Sequence, residues 1–337
     1  MLISKTPYRI SFFGGGTDFP QWYNHQKGLT ISTTLDYHQY ISARFLPPFF
    51  KRINYKISYS KTENVEKVSE INHPVIKKLF LYKKIHKPLE LHINSDLPAR
   101  SGLGSSSTFI VGLINLLYNL YEKKINQKKL YNEAINFEQN ILKEYCGSQD
   151  QVITSIGGFK KIEYFKKNID VKKLNISSSK KKKLERSLAL FFTGFSRKAA
   201  LTEKDKILSI KKNRSYYEDL YNLALQSVNI FENNNTNIDE IGRLMNDSWS
   251  IKKKLSKKVS NSKIDEIYKC GIKNGAIGGK VLGAGNGGFM LFYIDASKKK
   301  KLISSLKKLL YVPVKFSEEG SKIIYQNKEK IHIEQKK

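Results

Sequence analysis

One stretch of the sequence dominates the prediction of its fold: Leu97-Pro98-Ala99-Arg100-Ser101-Gly102-Leu103-Gly104-Ser105-Ser106-Ser107. Its two glycines allow backbone N–H groups to turn toward an anion. The apolar-periodic run that continues to Tyr121 predicts a helix, which the serines would cap. The positive end of that helix and the serine hydroxyls would add donors, or a metal ligand. The stretch therefore predicts a phosphate-binding loop, with an ordinary serine-capped helix start as the alternative.

A second helix, predicted over 127–144, carries a carboxylate inside its apolar face. The residues of that stripe are Leu130, Ala134, Phe137, Glu138 and Ile141. Asp150 follows just beyond this helix. If the two helices pack side by side, one carboxylate can hold Mg²⁺ and the other can accept the proton of an attacking hydroxyl. The alternative is that Glu138 caps a neighbouring group and Asp150 is a turn residue.

Apolar segments between glycine and proline breaks predict strands along the whole chain. These segments are 8–13, 29–35, 40–45, 89–93, 159–165, 188–192 and 289–294. Apolar residues at helical spacing predict further helices over 214–232, 238–255 and 298–310. The polar, lysine-rich stretch 166–186 is the predicted boundary between a first domain, 1–180, and a second domain, 187–330.

A second glycine-rich segment, 278–288, satisfies the spacing G-x-G-x-x-G at Gly283, Gly285 and Gly288. A dinucleotide-binding fingerprint requires a helix directly after that loop, whereas a strand-like segment follows here. The Rossmann interpretation is therefore rejected. The sequence also lacks the motifs of P-loop enzymes, protein kinases, zinc proteases and serine hydrolases.

The length of 337 residues is sufficient for about two domains with a large core. Lysine and arginine total 60 against 30 acidic residues, a formal net charge of +30. Such a charge is typical of proteins that bind nucleic acid or anionic surfaces. The excess is lysine spread along the whole chain, however, which indicates composition bias, with phosphorylated substrates as a further reason. A nucleic-acid-binding protein remains an alternative, although no recognition motif for nucleic acid is present.

The two cysteines, Cys146 and Cys270, lie in different neighbourhoods and form no C-x-x-C pair. Neither a zinc site nor a disulfide is predicted, and a reducing cytoplasm is the expected location. The first residues lack the pattern of a signal peptide. The longest apolar run, 109–120, is shorter than a membrane span and is interrupted by glycine and asparagine. We expect no membrane helix.

Three motifs give the sequence its resemblance to the GHMP kinases, the family of galactokinase, homoserine kinase, mevalonate kinase and phosphomevalonate kinase. The motifs occur in the family's order, and they are Thr6-Pro7-Tyr8-Arg9-Ile10-Ser11-Phe12-Phe13-Gly14-Gly15-Gly16-Thr17-Asp18, the stretch 97–107 and the segment 281–288. The resemblance spans nearly the whole chain. It implies an α+β fold of two domains, the first of the ribosomal protein S5 domain 2-like type and the second ferredoxin-like, with the site between them.

Within this family, the motifs are most similar to those of the kinases that act on D-glycero-D-manno-heptose 7-phosphate. The resemblance implies ATP-dependent phosphorylation of the anomeric hydroxyl of a sugar phosphate, with Mg²⁺ as cofactor. The product would be a 1,7-bisphosphate for the synthesis of nucleotide-activated heptose. A galactose- or fucose-type kinase that acts on a neutral sugar remains the alternative. Neither the sugar nor the oligomeric state follows from the sequence.

The resemblance also assigns roles to individual residues. Asp150 matches the catalytic aspartate, Arg9 the first-motif arginine near it, and Ser106 and Glu138 the Mg²⁺ ligands. Asp18 matches an aspartate that binds sugar hydroxyls. The residues expected to bind ATP are Pro98, Ala99, Arg100, Ser101, Gly102, Leu103, Gly104, Ser105, Ser106, Ser107, Gly283, Gly285 and Gly287. For the last three, a tight turn between two strands is the alternative.

One departure from the galactokinase pattern concerns the sugar site. Where galactokinases carry a Glu-His pair, this chain has Gly15 and Gly16, followed by Thr17, and all three residues are expected to bind the acceptor. The loss of one carboxylate and two side chains leaves more room and less negative charge for a phosphorylated acceptor. Arg100 and Arg44 are the predicted cationic contacts for that acceptor's phosphate.

Overall fold

The computed structural model describes residues 1–50, 52–194 and 199–327. The strands are β1 (Leu2–Phe13), β2 (Gly28–Phe45), β3 (Tyr55–Ser58), β4 (Thr62–Val65), β5 (Leu89–Ser95), β6 (Lys160–Phe165), β7 (Asn168–Lys173), β8 (Leu188–Phe192), β9 (Ala276–Val281), β10 (Phe289–Ile294), β11 (Leu310–Val312), β12 (Phe316–Ser317) and β13 (Lys322–Gln326). The predicted second domain, 187–330, extends beyond the described residues at its end.

The helices flank two sheets. They are α1 (Pro20–Tyr23), α2 (Pro74–Tyr82), α3 (Ser105–Leu120), α4 (Gln127–Asn136), α5 (Gln149–Ile156), α6 (Ser178–Ser187), α7 (Ala199–Leu208), α8 (Arg214–Glu232), α9 (Glu240–Leu255), α10 (Ser262–Lys273) and α11 (Lys299–Ser305). A 3₁₀ turn covers Val68–Glu70 and a π-helical turn covers Phe137–Ile141. No helix of the described ranges is long and apolar enough to cross a membrane.

The long strand β2 organises the first sheet, which contains nine strands within the described residues. Along one side β2 pairs with β1, and along the other it pairs in succession with β6, β12 and β5. Strand β13 pairs with the outer edge of β1. Two strands that follow residue 315 therefore return to the first sheet, although the predicted first domain ends at residue 180. The domain boundaries themselves stay a prediction.

The second sheet has the antiparallel order β11-β8-β10-β9. All six residues of β10 are buried because this central strand is covered on both faces, and its continuous apolar run is the sequence signature of that environment. Helices α9 and α10 pack against β9. The glycine-rich segment between β9 and β10 connects two adjacent strands and faces the first sheet.

Aromatic side chains of the first sheet and of the long helix α8 meet in one core, which also contains apolar residues of the second sheet. Phe12 of β1 stacks on Phe159 at 6.2 Å between ring centroids and contacts Phe231 of α8 at 5.8 Å. Phe316 of β12 packs edge-on against Phe159 at 4.8 Å. Residues distant in the sequence thus pack in one apolar cluster. Burial of these rings is expected to be the main contribution to the stability of this part of the fold.

The stretch 166–186, predicted as the domain boundary, contains strand β7 and helix α6, whose buried Leu184 anchors the helix to the core. Two local expectations need correction. Helix α3 is preceded by Gly104 at the cap position, so the serines lie in its first turn and do not cap it. The helix predicted over 127–144 ends at Asn136 and continues as the π-helical turn.

Replacement of Phe316 by alanine should lower the free energy of unfolding by about 3 kcal/mol, because it leaves a cavity among three aromatic rings. Urea unfolding followed by circular dichroism measures this change. Phe49→Ala is the control, since the side chain of Phe49 is 72% exposed. Equal unfolding midpoints for the two variants would contradict the role given to the aromatic cluster.

Candidate active site

The side chain of Arg9 connects three segments of the chain. Alternation along β1 directs Tyr8 and Ile10 into the core and Arg9 to the opposite face. Its Nε donates to Asp150 Oδ1 at 2.7 Å and its Nη2 donates to Oδ2 at 2.6 Å, a bidentate ion pair. Its Nη1 donates to the carbonyl of Gly102 at 2.7 Å. Arg9 thus holds both the aspartate in the first turn of α5 and the glycine loop.

Glu138 lies in the π-helical turn and is only 2% exposed. Ser106 Oγ donates to its Oε1 at 3.0 Å and Ser107 Oγ donates to its Oε2 at 2.7 Å, while Gln151 Nε2 donates to Oε2 as well. Burial raises the pKa of Glu138 to about 7 against the effect of these hydrogen bonds. The carboxylate and the serines of α3 therefore form one polar cluster. Glu138 lies deep in the structure, not at the rim of an apolar face.

The glycine loop has the backbone that its sequence predicts. Gly102 and Gly104 have positive φ angles of 84° and 79°, values that glycine adopts without steric cost. Gly104 has no side chain to cap α3, so it leaves the first-turn backbone N–H groups without a side-chain partner from the cap position, next to the pocket that Ser105, Ser106 and Ser107 line. Arg100 N donates to Ser105 Oγ at 3.0 Å, which closes the loop. This is a suitable geometry for a phosphate group.

The third glycine motif packs directly on this loop. A Cβ atom on Gly102 would lie 2.5 Å from the Leu282 carbonyl oxygen, and one on Gly283 would lie 2.7 Å from Gly102 Cα. A Cβ atom on Gly288 would lie 2.3 Å from the carbonyl oxygen of Ser101. The segment is a turn between β9 and β10, and its glycines also let the two loops touch through their backbones.

A pocket of about 240 Å³ lies between the two sheets and contains most of the predicted site residues. Those that line it are Arg9, Gly15, Gly16, Asp18, Arg100, Gly102, Gly104, Ser105, Ser106, Ser107, Glu138, Asp150, Gly283, Gly285 and Gly287. Of the other loop residues, Pro98 and Ala99 are exposed, and Ser101 and Leu103 are buried beneath the loop.

Two predicted acceptor contacts do not reach the pocket. Thr17 is buried, where its Oγ accepts from Leu29 N at 3.0 Å and donates to the Gly14 carbonyl at 2.7 Å, so its role is to fix a turn. Arg44 lies near the far end of β2 and pairs with Glu90 at 2.6 Å. The assignment of Arg44 to the acceptor phosphate is therefore wrong.

Asp18 also lines the pocket. Its carboxylate accepts from Gly16 N at 2.8 Å and from Gln149 N at 3.2 Å. Burial raises the pKa of Asp18 to about 6, and the nearby charge of Asp150 adds to that effect. A Cβ atom on Gly16 would lie 3.1 Å from the ring of Tyr217, so part of the space expected there is filled by α8.

Five charged residues that line the pocket were not predicted. Glu144 precedes α5, Glu203 and Lys206 come from α7, Lys252 from α9 and Lys280 from β9. The lysines do not stand out among 60 basic residues. The one signal in the sequence is that Lys280 stands between Gly279 and the apolar pair Val281-Leu282.

Comparison with known proteins identifies the class. Residues 71–158 match the family described as GHMP kinases N terminal domain, and residues 229–312 match the family described as GHMP kinases C terminal. The D-glycero-alpha-D-manno-heptose 7-phosphate kinase of Campylobacter jejuni is 31% identical over 328 residues, which cover 91% of this chain and 93% of the relative. The chain belongs to the GHMP kinase family, and the expected α+β fold is confirmed.

Two further relatives extend this likeness. The galactokinase of Pyrococcus furiosus is 24% identical over 89% of this chain and 91% of its own length. A solved structure described as D-glycero-D-manno-heptose 1-phosphate kinase from Bacteroides thetaiotaomicron has a TM-score of 0.72 at 21% identity, covering 97% of this chain and all of the other. At that identity the structure shows the fold alone.

Replacement of Gly283 by alanine should weaken ATP binding at least about tenfold, because the new Cβ would displace the loop at Gly102. Titration calorimetry with a non-hydrolysable ATP analogue measures the affinity. Gly194→Ala is a matched control, since Gly194 also has a positive φ but its Cβ would meet no atom within 4 Å. Unchanged affinity in Gly283→Ala would show that the contact between the loops does not shape the nucleotide site.

Proposed function

We propose that the chain transfers the γ-phosphate of ATP to the anomeric hydroxyl of a sugar phosphate, with D-glycero-D-manno-heptose 7-phosphate as the acceptor. The observation that carries the proposal is the Arg9–Asp150 ion pair beside Gly104, where an aspartate faces the same pocket as the glycine loop. The Campylobacter relative, whose name specifies this acceptor, supports the choice of sugar.

Asp150 is the proposed general base. Each of its oxygens accepts one hydrogen bond from Arg9 and retains a lone pair for the acceptor hydroxyl. The ion pair fixes the carboxylate in one orientation, so the hydroxyl that it binds can be directed in line with the γ-phosphate. Proton acceptance by a positioned carboxylate contributes about 10²- to 10⁴-fold to such rates. Arg9 also places positive charge near the transferring group.

The nucleotide phosphates are proposed to lie on the first turn of α3, with the glycine loop around them. Backbone N–H groups and the helix dipole stabilise negative charge there. Arg100, at the exposed end of the loop, supplies a further cationic contact. Gly283, Gly285 and Gly287 form the facing wall of the pocket.

Mg²⁺ is proposed as the cofactor, held by Ser106 and Glu138. Within the described residues no three acidic, histidine or cysteine side chains converge on one point. This fits Mg²⁺, which commonly takes one or two protein oxygens and completes its shell with water and phosphate oxygens. A hydroxyl and a carboxylate separated by 3.0 Å provide such oxygens. The ion would neutralise phosphate charge during transfer.

A cytoplasmic location is also proposed. Cys146 and Cys270 are both free. Free thiols stay reduced in the cytoplasm, which is a reducing compartment. The proposed partners are the small-molecule substrates, ATP and a sugar phosphate, and no role in binding nucleic acid is proposed.

Asp150→Asn should lower kcat about 10²- to 10⁴-fold because the amide cannot accept the proton of the acceptor. The affinity for a non-hydrolysable ATP analogue should change little, since Asp150 is not proposed to bind the nucleotide. Steady-state ADP release and calorimetry measure the two quantities. Asp170→Asn serves as the control, because the side chain of Asp170 is 60% exposed. A variant with nearly normal kcat would remove the assignment of Asp150 as base.

ADP release with Mg·ATP should be confined to heptose 7-phosphate when a panel of acceptors is compared. The panel contains other sugar phosphates, galactose, fucose, mannose and a control without sugar. Preference for a neutral sugar would retain the kinase mechanism and reject the proposed acceptor. The absence of turnover with every member would contradict the proposed function.

A further inference from the structure

Three lysines of the pocket are buried to a degree that is rare for this residue type. Lys206, Lys252 and Lys280 are 4%, 8% and 5% exposed, and they come from α7, α9 and β9. All three line the pocket that contains Asp150. Because burial of an ammonium group has a high free-energy cost, such lysines normally pair with an anion.

The protein supplies less negative charge than these lysines need. Lys206 Nζ lies 2.5 Å from Glu203 Oε2. Lys280 Nζ donates to the Phe12 carbonyl at 2.7 Å, and Lys252 Nζ donates to two backbone carbonyls in the third glycine motif. In the described part of the chain, Glu203 is the carboxylate that lies within 4.0 Å of any of the three ammonium groups.

The ammonium groups also repel one another. Burial lowers the pKa of Lys280 to about 7, and the charges of Arg9 and Lys206 lower it further. Burial lowers the pKa of Lys252 as well, with added repulsion from Lys206 and Lys280. An anion bound among the three groups would remove this repulsion and use the N–H donors that backbone carbonyls leave available, since each ammonium has three.

The contacts of Lys206 and Lys280 place them beside the first motif, on the acceptor side of the pocket, while Lys252 lies against the third glycine motif. Lys280 is anchored to Phe12, immediately before the glycines of the first motif. The ammonium of Lys206 lies 5.5 Å from the ring centroid of Phe19, the residue after Asp18. The serines of α3, which are proposed to face the nucleotide, are bonded instead to Glu138. Lys206 and Lys280 thus lie on a different wall from the serines of α3, and Lys252 lies between them and the third glycine motif.

We propose that Lys206, Lys252 and Lys280 bind the phosphate monoester that the acceptor already carries. The inference rests on the proposed function, which it deepens by naming the residues that select a phosphorylated acceptor over a neutral sugar. A phosphate monoester presents three terminal oxygens, and lysine ammonium groups bind phosphate as point charges. The sequence analysis gave this role to Arg100 and Arg44, of which Arg100 lines the pocket.

The test compares wild type with Lys206→Gln, Lys252→Gln and Lys280→Gln by calorimetry without nucleotide. The probes are heptose 7-phosphate, the dephosphorylated heptose and inorganic phosphate. Each variant should bind heptose 7-phosphate and phosphate roughly 10- to 100-fold more weakly, the loss expected for a charge-assisted hydrogen bond. Affinity for the dephosphorylated heptose should stay within about twofold of wild type in each variant. Affinity for a non-hydrolysable ATP analogue should stay within the same range in Lys206→Gln and Lys280→Gln, whose lysines do not bond to the third glycine motif.

Lys180→Gln is the matched control. Lys180 is also buried, at 7% exposure, and its ammonium donates to the carbonyls of Ile230 and Asn233 outside the pocket. This variant reports the effect of losing a buried lysine alone. If Lys252→Gln or Lys280→Gln does not fold, as judged by thermal unfolding, Lys206→Gln decides the test.

Unchanged affinity for heptose 7-phosphate in the folded variants would overturn the inference. An equal loss for the ATP analogue would overturn it too, because the cluster would then serve the nucleotide. The binding readout is independent of turnover: if wild type binds the phosphorylated probes through these lysines but transfers no phosphate to the acceptor, the subsite stands and the proposed function fails. Turnover of heptose 7-phosphate that all three variants retain with wild-type KM would leave the function and reject the subsite.

Discussion

The bidentate ion pair between Arg9 and Asp150 is the interaction on which the rest of the site depends. Arg9 comes from the first strand and Asp150 from a helix 141 residues later, yet the same guanidinium also holds the Gly102 carbonyl. The backbone N–H of Arg9 donates to Leu103 at 3.1 Å, so the loop is bound twice. Because the guanidinium is buried, loss of either partner would leave a desolvated charge, a change that commonly costs about 3–5 kcal/mol. One residue therefore couples stability to the geometry of phosphate transfer.

This coupling requires two glycine loops to lie closer than any side chain would permit. The first is held by Arg9, and the second contacts it through Gly283 and Gly288. The second loop is in turn fixed by β9 and β10, whose sheet is joined to the first by the cluster around Phe12 and Phe159. Apolar burial thus sets the distance between the sheets, and that distance sets the width of the pocket. The aromatic core and the site are parts of one arrangement.

The sequence predicted the bounds of helices and strands well where these are set by a local pattern of apolar residues. Helix Arg214–Glu232 and strand Phe289–Ile294 have the predicted bounds, since their apolar periodicity ends at clear breaks. The meeting of Ser106 with Glu138 also followed from two predicted helices that pack side by side. By contrast, the position of Arg44 depends on distance along a strand. Ser32 of β2 donates to Gln149 in the first turn of α5 at 3.1 Å, and Arg44 follows twelve residues later, which at about 3.3 Å each is roughly 40 Å of chain. The pairing of strand Lys322–Gln326 with β1 is likewise a long-range contact that no local sequence pattern predicts.

The charge of the protein divides into two parts with different explanations. Exposed lysines have little free-energy cost, so composition bias suffices to account for them, and a net charge of +30 by itself specifies no partner. Bias does not explain why Lys252 and Lys280 are buried while no carboxylate of the described residues lies within 4.0 Å of their ammonium groups, because desolvation of a charge has a high free-energy cost. A bound anion would offset this free-energy cost, and buried lysines that bind such an anion can therefore be retained. The informative charges in this chain are therefore its least exposed ones, and they lie in the pocket that also contains the Arg9–Asp150 pair.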